Sequence, residues 1–235
     1  MRSLRESFVM LSKMVNRMGK TYSYILLDWD GCIAQTLELW PTAQVESFKQ
    51  YGIDVTFDEA IKSCRGTWQY LHENFDIPEE KGHEIFANTR RIVKERAGDV
   101  ALYPGVMDTL AELAKRGKWL AVVTSSFTEA ITGQIQALGL DPALFDVIVT
   151  GDDVTKYKPH PEATLLALAK LGARPEEALF VGDTDKDILS GKNSGVDTVL
   201  IFPAEHEKYY DRAWLESHQP DFVIESLREL LDIVK

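Results

Sequence analysis

Tyr24-Ile25-Leu26-Leu27-Asp28-Trp29-Asp30-Gly31 is the stretch from which the fold of this chain is read. Its first four residues form a short apolar run, too brief for a helix and consistent with a strand buried on both faces. Two carboxylates follow at the carboxyl end, and then a glycine that permits a sharp turn. Four further runs repeat the theme: Trp119–Val123 ending at Thr124, Val147–Val149, Leu179–Val181 ending at Gly182-Asp183, and Val199–Phe202. Helical patterns lie between them. One spans Pro104 to Gly117, one carries Ile131, Ile135 and Leu138 before Gly139, and one spans Pro161 to Gly172, with proline as start or glycine as stop. Strands alternating with helices predict crossover connections and a parallel sheet, a Rossmann-like, open doubly wound α/β core.

From Glu38 to Ala101 that rhythm breaks. Val45, Phe48 and Tyr51 mark one helical face and Ile85, Ile92 and Val93 another, with no continuous strand run. The expected organisation is a core over 22–37 and 102–235, an all-helical insertion over 38–101, and an N-terminal helical extension over 1–21. That extension carries Arg2, Arg5, Lys13, Arg17 and Lys20 against Glu6, with Leu4, Phe8, Leu11, Val15 and Met18 at helical spacing. Its apolar stretch is too short for a signal-peptide core, and packing on its own domain is preferred to membrane association.

Composition narrows the function. With 26 Lys and Arg against 37 Asp and Glu, the net charge of −11 argues against nucleic-acid binding, because phosphate backbones require clustered cations. It leaves open a small anionic substrate, which responds to local charge. Two cysteines support neither a disulfide framework nor a four-cysteine zinc site, and fit a reduced, cytoplasmic compartment. No apolar run approaches the length of a membrane span.

In open parallel sheets, ligands bind beyond the carboxyl ends of the strands. Asp28 and Asp30 sit at the first such end, and two close carboxylates repel unless a cation or a shared proton intervenes. Thr124 and Ser125 end the second strand, where hydroxyls and free amides before a helix either cradle a phosphate oxygen or simply cap the helix. Lys158 follows the third strand, fixed before Pro159, and is either aimed at the site or an ordinary loop lysine. Asp183 ends the fourth, with Asp187 one helical turn on. Oxygen donors of this kind suit Mg²⁺. Each group alone has a structural explanation; four compatible strand ends in order point to one site.

These residues resemble the motifs of the haloacid dehalogenase-like hydrolase superfamily, in its branch with a helical cap. Asp28-Trp29-Asp30-Gly31 is similar to its first motif, Thr124 to its second, Lys158 to its third, and Gly182-Asp183 through Asp187 to its fourth. The resemblance covers roughly 22–235, and the family's cap falls where the insertion falls. It implies Mg²⁺-dependent hydrolysis of a small phosphorylated metabolite. Asp28 would be the nucleophile, and Asp30 the acid and then the base. Asp28, Asp183 and the Asp30 carbonyl would hold the metal, Asp187 would orient the metal's surroundings, and Thr124 and Lys158 would stabilise the transferring phosphoryl group. Because Asp30 is present, a dehalogenase or a phosphonate-cleaving relative is not expected. A sugar-phosphate mutase of the β-phosphoglucomutase type is the alternative, and a catalytically silent binding module a further one. Two departures stand out: Cys32 replaces the usual Thr or Val, and Tyr157 replaces the glycine before the Lys-Pro pair. In the insertion, Arg65, within Cys64-Arg65-Gly66-Thr67-Trp68, is the candidate substrate contact, with packing between helices as the alternative for Trp68.

Overall fold

The computed structural model describes residues 20–65, 74–75 and 77–235, with backbone alone for 63–65. Most of the expected N-terminal extension lies outside the described residues, as do Gly66, Thr67 and Trp68.

Strands β1 (Tyr24–Leu27), β2 (Trp119–Val123), β3 (Val147–Val149), β4 (Ala178–Gly182), β5 (Asp197–Ile201) and β6 (Phe222–Ile224) form one sheet in the order β3-β2-β1-β4-β5-β6. Every pairing is parallel. Leu27 is level with Val122 on one side and Val181 on the other, so β1, β2 and β4 end together. The chain runs outward from β1 to β2 and β3, then returns to place β4 against the free side of β1. Strand order therefore reverses beside β1, and the carboxyl ends of the strands there are where open parallel sheets bind their ligands.

Alternation along β1 distributes its side chains between two cores. Ile25 and Leu27 join Leu110 and Leu113 of α4 (Val106–Lys115) and Ile131 and Ile135 of α5 (Thr128–Ala137). Leu26 faces the other way, with Phe180 and with Ala163, Ala167 and Leu168 of α6 (Glu162–Leu171). With both faces covered, a parallel strand has no need of polar alternation, which is why these strands read as short apolar runs.

Between β1 and α4 stand α1 (Leu39–Gln50), α2 (Phe57–Arg65) and α3 (Glu79–Glu95), followed by a 3₁₀ turn at Ala97–Asp99. The chain leaves and re-enters the core through one neck, where Gln35 N–H donates to Ala101 O (2.8 Å) and Tyr103 N–H to Ile33 O (3.1 Å). Phe48, Ile77 and Ile85 form a small core of their own. Ala43, Ile92 and Val93 instead pack on Phe127 and Ala130 at the start of α5. The last elements are α7 (Asp185–Asn193), α8 (Arg212–Ser217) and α9 (Leu230–Ile233). Among the described residues no helix is long and apolar enough to cross a membrane.

Three strands differ from the sequence expectation: β4 runs Ala178–Gly182, one residue longer at each end than the apolar run. β5 begins at Asp197 and ends before Phe202, because Asp197 pairs with Leu179 in the ladder despite its charge. β6 was not expected: it is three residues long at the sheet edge, flanked by Asp221 and Glu225, and too short to show a pattern.

Candidate active site

The site grows from the turn after β1. Asp28 N–H donates to Val181 O (2.8 Å), so this residue still belongs to the ladder. Trp29 points into the core, its Nε1–H donating to Gln134 Oε1 at 2.6 Å and its ring edge-on to Phe145. Gly31 has φ +73°, and a Cβ there would fall 2.2 Å from Asp183 Oδ2. Only glycine lets the first turn approach the β4 carboxylate so closely. Cys32 is wholly buried, with its thiol 3.8 Å from Val181 O. It faces β4 from behind the turn, and burial, with Asp28 and Asp183 adding to it, pushes the thiol's pKa up.

Lys158 reaches the same point from the loop after β3. Its ammonium donates to Val123 O (3.1 Å) and Asp187 Oδ1 (2.6 Å), and stands 2.9 Å from Asp28 Oδ1 as an ion pair. Asp187 Oδ2 accepts from Thr184 N–H (3.1 Å) and Thr184 Oγ1 (2.6 Å), which caps α7. A side chain on Gly182 would collide with Asp187, so that glycine lets α7 start hard against β4. Oxygens of Asp28, Asp183 and Asp187 all lie within 4.8 Å of one another. Asp183 Oδ2 is buried without a hydrogen-bond partner among the described residues.

Three carboxylates and one ammonium leave two negative charges without a counter-charge. Burial, reinforced by Asp187 and only partly opposed by Lys158, raises Asp28 to about 7. Burial likewise lifts Asp183 well above the usual carboxylate range, with Asp187 and Asp28 adding to it. For Lys158 burial works against the charge, but Asp187 and Asp28 outweigh it and its pKa rises. An orphaned buried oxygen in an all-oxygen, net-negative cluster fits a hard divalent cation. Asp28 and Asp183 are the residues with an oxygen to offer, since both Asp187 oxygens are already engaged.

Asp30 sits apart from this knot, among neutral donors. Its Oδ1 accepts from Thr36 Oγ1 (2.7 Å) and Trp40 Nε1 (2.9 Å). Its Oδ2 accepts from Ser126 Oγ (2.5 Å) and lies 3.5 Å from Thr124 Oγ1. Thr124 is buried and itself accepts from Ser126 N–H (3.0 Å), while Ser125 is exposed at the same turn. Thr36, Trp40 and Ser126 escaped the sequence reading, yet each left a signal. Ser126 is two residues past Thr124 at the bend that follows β2, and Thr36 and Trp40 are four residues apart across the start of α1, where Trp40 N–H reaches Thr36 O. Tyr157 is 57% exposed beside the buried Lys158, so the departure there sets an aromatic ring at the surface. Arg65 ends α2, and its side chain lies outside the described residues.

The comparisons with known proteins bear on family and fold. The family model described as haloacid dehalogenase-like hydrolase matches residues 25–201. The pyrophosphatase PpaX of Oceanobacillus iheyensis is 32% identical over 212 residues, covering 89% of this chain and 95% of its own. The crystal structure of CbbY from Rhodobacter sphaeroides in complex with phosphate is 26% identical, with TM-score 0.74, covering 89% of this chain and 96% of that one. A hydrolase from Pseudomonas syringae, at 23% identity and TM-score 0.77, covers 89% of this chain and 96% of its own, a likeness of fold. The chain belongs to the haloacid dehalogenase-like hydrolases and is an enzyme of their phosphatase kind.

Proposed function

We propose that this enzyme hydrolyses a small phosphomonoester, with Mg²⁺ bound, through an aspartyl-phosphate on Asp28. One observation carries the reading: two carboxylates two residues apart occupy opposite environments. Asp28 lies among charges with Lys158 at 2.9 Å, and Asp30 lies among neutral hydroxyl and indole donors. Such a division separates a nucleophile from an acid–base group.

In this reading an oxygen of Asp28 attacks phosphorus in line with the leaving oxygen. Asp30 gives that oxygen a proton, then takes one from the water that attacks the acyl phosphate. Thr124 and Ser125, with Lys158, bind the oxygens of the transferring group. Lys158 is held for this by Asp187, which keeps the ammonium charged and stationary. Asp28, Asp183 and the Asp30 carbonyl would hold the metal, which would supply the positive charge that lets two anions approach. The helices of 38–101 act as a cap over the strand ends of a core made by 22–37 and 102–235. They contact the leaving group, Arg65 among them.

The curated relatives named pyrophosphatase favour a second substrate, inorganic pyrophosphate, for the same chemistry. Phosphate is a better leaving group than an alcohol, so the two substrates make different demands on Asp30. The deciding experiment is steady-state hydrolysis of a panel containing 4-nitrophenyl phosphate, phosphoglycolate, sugar phosphates and pyrophosphate, with and without exhaustive chelation. Mg²⁺-dependent release of free phosphate is expected. Transfer of phosphate to a second sugar phosphate would replace hydrolysis by a mutase reaction, and full activity after chelation would remove the metal from the mechanism.

A further inference from the structure

Asp30 is gripped from two directions. Thr36 and Trp40, on the chain running into the insertion, donate to Oδ1 at 2.7 and 2.9 Å. From the core side Ser126 donates to Oδ2 at 2.5 Å, and the Thr124 contact to the same oxygen is stretched to 3.5 Å. Trp40 is itself fixed: its ring stands edge-on to Phe127 at 5.9 Å and 87°, one residue past Ser126. Phe127 carries the Arg90 guanidinium 4.2 Å from its ring centre, and Arg90 pairs with Asp152 at 3.1 Å. One turn, Ser126-Phe127, thus holds both the hydroxyl on Oδ2 and the seat of the indole on Oδ1.

A carboxylate oxygen has two lone-pair positions. On Oδ1 both are taken by well-formed bonds. On Oδ2 one is taken firmly and the other only by a contact at the limit of hydrogen bonding. We propose that Trp40 and Ser126 are positioning residues that clamp Asp30 from the insertion and from the core, reserving the second position of Oδ2 for the proton passed to the leaving group. This rests on Asp30 being the acid. Without the clamp the carboxyl would rotate about its side-chain torsions, and a small misplacement is costly to a positioned group.

Protonation of the leaving oxygen matters most when that oxygen is basic, which separates positioning of the acid from damage of any other kind. The test compares kcat and KM, in Mg²⁺, on phenyl phosphate, whose leaving group has a pKa of about 10 like a tyrosine side chain, and on the more activated 4-nitrophenyl phosphate. Trp40→Phe keeps an aromatic ring against Phe127 and removes the N–H. It should lower kcat on phenyl phosphate about tenfold, with a loss at least threefold smaller on 4-nitrophenyl phosphate and little change in KM. Ser126→Ala should show the same imbalance, and Trp40→His, which restores a ring N–H, should recover much of it. Should Trp40→Phe fail to fold, Ser126→Ala decides alone. Equal losses on both esters, or losses confined to KM, overturn the proposal. If Asp30→Asn itself loses activity equally on the two esters, the acid assignment falls first and takes the clamp with it.

Discussion

Two buried clusters of titratable groups lie close together in this molecule, and they meet the cost of burial in opposite ways. At the strand ends, Asp28, Asp183, Asp187 and Lys158 remain a knot of charges, with Asp183 Oδ2 unpartnered and two carboxylates raised by burial. Nearby, after β5, His206 is wholly buried with its ring against Phe202, Tyr103 and Tyr210. Tyr103 Oη lies 2.8 Å from His206 Nε2, and burial pushes the histidine down to about 4, so this box stays neutral. Neutrality is the inexpensive solution in a low-dielectric interior. The knot forgoes it, and buried like charge is tolerated where charge is used.

The largest expected effect falls on the knot. Asp28→Asn should reduce turnover below detection on every ester tried, because an amide cannot form the acyl phosphate. Activity within tenfold of wild type would break the covalent reading.

The second effect concerns stability. Mg²⁺ at about a hundred times its dissociation constant should stabilise the fold by about 2.7 kcal/mol, a rise in Tm of roughly 5–10 °C for a chain of this size. Asp183→Asn should abolish most of that rise. In metal-free protein near pH 8 the same substitution should leave Tm equal to or above wild type, since it relieves repulsion from Asp28 and Asp187. A drop in metal-free Tm would show that the hydrogen bond from the Tyr210 side chain to the Asp183 carboxylate outweighs that repulsion, and the contrast between knot and box would fail.

The core was legible because its strands are buried on both faces. Three of them, Tyr24–Leu27, Trp119–Val123 and Val147–Val149, could be read as uninterrupted apolar runs. Asp28, Lys158, Asp183 and Asp187 were legible because parallel strand ends must converge at a switch point. The donors on Asp30 were harder to read, since two hydroxyls at loop positions and an indole in the first turn of α1 carry no charge signature and left only their spacing. The box was invisible for a stronger reason. Phe202 and Tyr210 flank His206 at four residues to either side, but its hydrogen-bond partner Tyr103 lies a hundred positions upstream, and the local aromatic spacing alone does not distinguish a buried histidine from an exposed loop histidine. For Arg65 the geometry that would test the reading lies outside the described residues.

Acid sharpens the contrast by about 2–3 kcal/mol, the scale of His206's depressed pKa. Folding keeps the ring neutral, whereas the unfolded chain takes a proton below about 6.5. Stability from the neutral ring is therefore complete above that pH and is lost as pH falls toward 4. Asp28 runs the other way in metal-free protein: raised to about 7, it binds its proton sooner in the folded state and adds stability as pH falls through 7. Urea denaturation of wild type and His206→Gln between pH 4 and 7.5 separates the two, since the Asp28 slope is common to both. Parallel stability curves would mean that His206 titrates normally and that the box is not a neutral solution.

The smallest effect should come from the single hydroxyl that partners His206 Nε2, the ring's Nδ1 being buried without a partner among the described residues. Tyr103→Phe preserves the ring and its edge contact with His206 but leaves Nε2 buried without a partner. The expected cost is about 1–3 kcal/mol, or roughly 2–4 °C of Tm per kcal/mol. Replacing both members, Tyr103→Phe with His206→Leu, should cost less than the sum of the two changes, because an apolar pair has no unmet hydrogen bond; the coupling in that cycle is expected near 1 kcal/mol. Turnover separates the clusters most sharply. Burial raises the Tyr103 pKa first, and the negative charge of Asp183 adds to it, so the two regions sense one another electrostatically. If they remain separate devices, Tyr103→Phe changes Tm and leaves kcat on 4-nitrophenyl phosphate within about twofold, well short of the tenfold that 1.4 kcal/mol in the barrier would produce. A tenfold loss of kcat with little change in Tm would show that the neutral box serves the charged knot, and the two solutions to burial would have to be read as one site.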